Sequence, residues 1–164
     1  SIMKYILITI LTICSLNSTY KKRVSKNGMI VSWHYTEDLI HFAMKAPTSG
    51  WVTIGFNDKS TISGAYLLMG RIVNGKAEVA EMYTSSPGRY YSIKEYGEAT
   101  SITIVKGNES NSNSSIYFCL PITPKNKYQR SLKEGSEYYM TLAYSTHDNF
   151  SHHSRMRTTV KLKL

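Results

Sequence analysis

From Met29 onward the apolar positions fall in short runs rich in β-branched and aromatic residues, broken every several residues by Gly, Asn, Pro or Ser. That is the pattern of strands and turns. No stretch sustains helical spacing. The runs predict strands over 29–35, 39–45, 51–56, 65–73, 77–83, 101–106, 115–120, 138–144 and 158–164, and nine short strands mean a sandwich or a barrel. Asn74-Gly75 is a two-residue hairpin signal, because both central positions of that turn need positive φ. Thr36-Glu37-Asp38 reverses the chain between one strand carrying Ile30, Ser32 and His34 and another carrying Ile40, Phe42 and Met44. The polar run 107–115, GNESNSNSS, reads as a flexible loop, and 121–130 as a long excursion before the closing strands. No internal repeat is visible.

The N-terminal segment stands apart from this pattern. Met3 and Lys4 precede the apolar run YILITILTIC, which ends at Cys14 and gives way to Ser15, Leu16, Asn17 and Ser18. A charged start, a short apolar centre and a small polar exit make residues 1–18 a secretory signal peptide, leaving 19–164 as one domain and placing the product in the periplasm or outside the cell. The run is too short to span a bilayer, which needs about 20 residues. The alternatives are a first core strand, or a lipoprotein cleaved before Cys14, for which Ile13 is a bulky neighbour.

Composition fits one globular domain: 164 residues, 41% hydrophobic, 19% charged, with 13 Tyr, four Phe and two Trp, too apolar and aromatic for a disordered chain. Without the leader, Cys119 is alone, so the core relies on burial and not on disulfides. Cys119 lies in a strand-like run and reads as a buried small hydrophobe. The net charge of +9 is scattered and names no partner. An exported basic chain is no nucleic-acid binder, but it suits peripheral association with an anionic envelope surface. Four N-glycosylation sequons occur, at Asn17, Asn108, Asn113 and Asn149.

No nucleophile elbow, phosphate loop, CxxC pair or HExxH helix is present, so an enzyme reading has no support. The chemistry-bearing stretch is THDNFSHHSRMR near the C-terminus, with His147, His152 and His153 on a loop before the last strand. A neutral imidazole ligates haem iron or a transition metal. Adjacent His152 and His153 point opposite ways if extended, so one of them enters a given pocket. The bland alternative is a set of surface loop histidines. A zinc site lacks the Cys or carboxylates to complete a tetrahedron.

Gly50-Trp51-Val52-Thr53-Ile54-Gly55-Phe56, followed by Gly64-Ala65-Tyr66-Leu67-Leu68-Met69-Gly70 and the closing His152-His153 with Arg157, resembles the DOMON domain family. That family includes the N-terminal domain of dopamine β-monooxygenase-like proteins and the cytochrome domain of cellobiose dehydrogenase. The resemblance covers nearly the whole chain after residue 26. It implies an immunoglobulin-like antiparallel β-sandwich of about nine to eleven strands, acting as an extracytoplasmic ligand-binding module without catalysis of its own. It further implies haem b held between a histidine and a methionine, with electron transfer to a redox partner protein.

Carried over by position, the histidine falls on His152 or His153, which are the cofactor and metal candidates. The methionine position is Ile62, which cannot ligate iron, and the acidic residue after the Gly-Ala pair is Tyr66. Met69 is the next sulfur. Seven residues of extended chain would set it roughly 20 Å from Ile62 at about 3.3 Å per residue, which favours a packing role. The alternative ligand is a carbohydrate, stacked on Trp51, Tyr66, Tyr90, Tyr91 or Tyr96, the last three in an exposed loop near Gly88 and Gly97. A third alternative is an adhesion or structural module without a small-molecule ligand. The cavity is expected at one rim between the two layers.

Overall fold

The computed structural model describes residues 22–164, so the leader assigned to residues 1–18 lies outside the described residues. The strands are β1 (Lys22–Lys26), β2 (Met29–Thr36), β3 (Leu39–Ala46), β4 (Val52–Asn57), β5 (Tyr66–Val73) and β6 (Lys76–Ser86). They continue with β7 (Arg89–Ser92), a 3₁₀ turn (Ile93–Tyr96), β8 (Thr103–Ser110), β9 (Asn113–Pro121), β10 (Glu137–Tyr144) and β11 (Met156–Lys163). They form two antiparallel sheets, one ordered β1-β2-β3-β9-β8 and the other β11-β10-β4-β5-β6-β7. The molecule is a β-sandwich, as its strand pattern requires.

Alternation along the strands builds the core. In β2 and β3 the burial alternates residue by residue, sending Val31, Trp33, Ile40, Phe42 and Met44 inward to meet Val52, Ile54, Phe56, Leu68, Met140 and Leu142 of the other sheet. Gly70 permits that close approach. A Cβ there would lie 2.8 Å from Ile116 Cδ1.

The segment 107–115 is not a loop. It is the tip of the β8–β9 hairpin, turned by Asn111 and Ser112 at φ 50° and 58°. Its residues 107–110 lie on the edge strand β8, where water accepts polar side chains, so no apolar alternation betrays the pairing. Strands β1 and β7 add to the nine expected, and Tyr90 and Tyr91 therefore stand on a strand. Cys119 is fully buried, its thiol donating to the Thr103 carbonyl at 3.3 Å.

On the outward face of the five-stranded sheet His34 and His41 stack at 4.5 Å, and His41 bonds the Tyr117 hydroxyl. Burial holds the His41 pKa below the usual imidazole value. The unfolded chain therefore takes up this proton at higher pH than the folded one, so the stability is complete above about pH 6.5 and declines as pH falls through that value toward the lower folded pKa. The melting temperature should drop between pH 7 and pH 5, with less of a drop in His41→Gln. An H41Q profile superimposable on the parent would remove this assignment.

Candidate functional site

Strands β4 and β5 are covered on both faces. Alternation sends Val52, Ile54, Phe56, Tyr66 and Leu68 into the core, while Thr53, Leu67 and Met69 face outward from the sandwich. There a second, smaller apolar cluster forms from Trp51, Ala65, Leu67, Met69, Met82 and Ala143, with Ile62, Tyr90 and Phe150 packed beside it. The segment after β10 folds over this cluster and leaves a cavity of about 350 Å³. Leu67, Met69, Ile62 and Ala143 give it an apolar floor, Tyr90 and Tyr91 one wall, and His152, His153 and Arg157 the other. The volume is at the small end of ligand pockets, about 300–1,000 Å³. It lies on the outer face of the six-stranded sheet, not at a rim between layers as the sequence suggested.

The covering segment is fastened at several points. Trp51 N donates to the His147 carbonyl at 3.0 Å, Ser145 N to the Trp51 carbonyl at 2.9 Å, and Trp51 Nε1 to the His152 carbonyl at 3.2 Å. Arg71 reaches the Asp148 carbonyl at 3.2 Å, pairs with Glu78 and lies over the Phe150 ring. The Tyr90 hydroxyl donates to the Phe150 carbonyl, and burial raises its pKa.

His152 stacks on His147 with ring centroids 3.8 Å apart. Its Nδ1 lies 3.1 Å from the His153 carbonyl and 3.2 Å from Ser145 Oγ. A carbonyl only accepts, so that contact assigns the proton to Nδ1 and leaves Nε2 with its lone pair in the neutral ring. A carbonyl behind one imidazole nitrogen is the usual way a ligating histidine is oriented.

Of the residues singled out in the sequence, Trp51, Met69, Tyr90, Tyr91, His152 and His153 line this one cavity, and so does Ile62. The separation of Ile62 from Met69 expected along extended chain does not occur. Gly64, at φ 86°, closes a turn in which Ala65 N donates to the Ile62 carbonyl at 3.0 Å, folding Ile62 back over β5. Tyr66 offers nothing to a ligand: it is 0% exposed on the core face and its hydroxyl donates to Glu81. Tyr96 lies elsewhere, stacked on Tyr128 at 4.5 Å. Among the described residues no three His, Cys, Asp or Glu side chains gather to hold a metal ion.

The sequence offers Arg157 only as part of the family resemblance and gives Thr84 no role, yet both line the cavity. Arg157 brings a cation to the mouth, and Thr84, 1% exposed, lines the cavity with a hydroxyl that has no hydrogen-bond partner among the described residues. Only the β6 register places Thr84 outward, opposite Tyr90.

The structure is thus an antiparallel sandwich with an apolar cavity under its last loop. Residues 25–145 match the DOMON domain, and the chain belongs to that family. The fold is similar to the cytochrome b domain of pyranose dehydrogenase from Coprinopsis cinerea, with TM-score 0.64 and 11% identity over 86% of this chain and 80% of that one. It is also similar to the cytochrome domain of Myriococcum thermophilum cellobiose dehydrogenase, with TM-score 0.61 and 9% identity over 88% and 81%. Identities this low are a likeness of fold alone. No curated protein matches the chain.

Proposed function

We propose that the chain is an exported, non-catalytic DOMON module that binds haem b in the cavity above β4 and β5 and passes electrons to or from a redox enzyme. The observation that carries this reading is the meeting of His152 and Met69 in one cavity, with His152 Nδ1 tied back to a carbonyl. The apolar floor suits a flat macrocycle, and Arg157 supplies a cation for its acidic substituents. His152 would ligate through Nε2, and Met69, a buried residue of the cavity lining, would be the sulfur partner where the family methionine position holds Ile62. Bound haem would supply reversible one-electron chemistry. The chain's own contribution is to hold the imidazole, exclude water with Leu67, Ile62 and Trp51, and set the polarity around the iron. The cytochrome domains of similar fold support this choice of ligand.

One preparation tests the reading. Expressed with residues 1–18 in a secreting host, the protein should be recovered from the medium starting at Thr19 and develop a Soret band on haem titration. His152→Ala should lose the band, whereas His153→Ala keeps it. Retention in the cytoplasm would remove the export claim, and a flat visible spectrum the haem claim. Tyr91, 46% exposed at the cavity wall, favours sugar stacking as the second reading. A flat haem spectrum with quenching of tryptophan fluorescence by oligosaccharides would transfer the site to that ligand.

A further inference from the structure

The opposite side of the molecule carries a different surface. In the five-stranded sheet the register sets residues directly abreast, and the row Arg23, Ser32, Ala43, Tyr117 and Lys106 crosses all the strands on the outward face. The adjacent row places Lys45 between Ile30 and Ser115, with Asn108 beyond. The single acidic residue of these strands, Glu109, is opposite buried Ser114 and so points away from this face. The outward face of the sheet is therefore cationic and free of carboxylates.

Small side chains at Ser32 and Ala43 hollow the face into a trough of about 750 Å³, with Arg23, Lys45 and Lys106 around it. All three cations are exposed, and among the described residues none of them forms an ion pair. Arg23 and Lys106 stand four strand spacings apart, about 19 Å at 4.8 Å per spacing, with Lys45 between them. Like charges held this way repel one another, and an extended polyanion laid across the strands would relieve that repulsion.

We propose that this trough binds a linear anionic polysaccharide, its sulfate or carboxylate groups meeting Arg23, Lys45 and Lys106. Ser32, Ser115 and Asn108 offer donors and acceptors to sugar hydroxyls, and Tyr117, held by its hydrogen bond to His41, gives one ring for a sugar face. Single-stranded nucleic acid would want several stacking aromatics, and the trough has one. A bilayer surface would want apolar side chains to insert, but none of the exposed large apolar residues, Tyr91, Tyr96 and Ile104, lines it. This site is independent of the haem reading, since it uses the other sheet.

The test is retention on immobilised heparin, which carries sulfate and carboxylate, and on immobilised polygalacturonate, which carries carboxylate alone. The protein should bind at least one of them at low salt and release as ionic strength rises. A triple Arg23→Gln, Lys45→Gln, Lys106→Gln variant should bind roughly tenfold more weakly, given the modest worth of each exposed ion contact. A control with the same charge change, Arg155→Gln, Lys161→Gln, Lys163→Gln, should stay close to the parent, with near-ultraviolet circular dichroism confirming both folds. Equal weakening in the two variants would reduce the effect to net charge and overturn the site. So would failure to bind either polysaccharide, or stronger binding to single-stranded DNA or phosphatidylserine vesicles.

Discussion

Replacing Glu81 by alanine should cost about 3 kcal/mol or more of folding stability, because several buried donors would lose their acceptor at once. Glu81 is 2% exposed, and among the described residues it forms no ion pair. Its two oxygens collect the Tyr66 hydroxyl, the Thr100 hydroxyl at 2.8 Å, the Ser101 amide at 2.6 Å and Gln129 Nε2 at 2.8 Å. The carboxyl thus joins β5 and β6 to the approach to β8 and to the long connection between β9 and β10. Burial first, and then the neighbouring Glu81, push the Tyr66 pKa far above its usual value, so the phenol stays a donor at any working pH. Glu81→Gln keeps one acceptor oxygen and should cost about 1–2 kcal/mol. Urea unfolding of the parent and both variants measures this directly. An alanine variant as stable as the parent would show that water enters and replaces the network.

Gly50→Ala should damage the cavity as well as the fold. A Cβ at this position would stand 2.4 Å from both the Ser145 carbonyl oxygen and the His147 amide nitrogen, and 2.6 Å from Thr146 C. These are backbone atoms, so no side-chain rotation relieves the clash, and the covering segment has to move off β4. Overpacking of this kind costs about 1–3 kcal/mol. The larger effect is expected on binding: the displaced segment carries His147, His152 and His153, so haem affinity should fall even where the protein still melts cooperatively. A G50A variant with parental haem affinity would show that the loop histidines are not held through this contact. Trp51, beside it, spans the same junction through Nε1, and its ring belongs to the cavity wall.

Much of this architecture can be read from the chain, for a physical reason. The alternation of Ile30, Ser32 and His34 against Met29, Val31 and Trp33 is that of a sheet with one wet face, and Asn74-Gly75 fixes a register. The site is harder to read. Every residue of β4 is buried, and so are the first five of β5, which erases the period-two signal that would tell Leu67 and Met69 from Tyr66 and Leu68. On that account the sequence offers Tyr66 as a ligand-stacking ring, whereas it is a core residue. The proximity of Ile62 to Met69 depends on the turn at Gly64, which counting residues along a strand cannot supply. The histidine-bearing loop was visible because its residue types are rare elsewhere in the chain. Glu81 gave no signal, since its partners Thr100, Ser101 and Gln129 come from segments distant in sequence.

The apolar cluster around Met69 and the main core share β4 and β5 but occupy opposite faces of one sheet. Neighbouring residues of a single strand thus answer to two different environments, so replacing Leu67 or Met69 should reshape the outer cavity and leave the inter-sheet packing of Ile54, Phe56 and Leu68 in place.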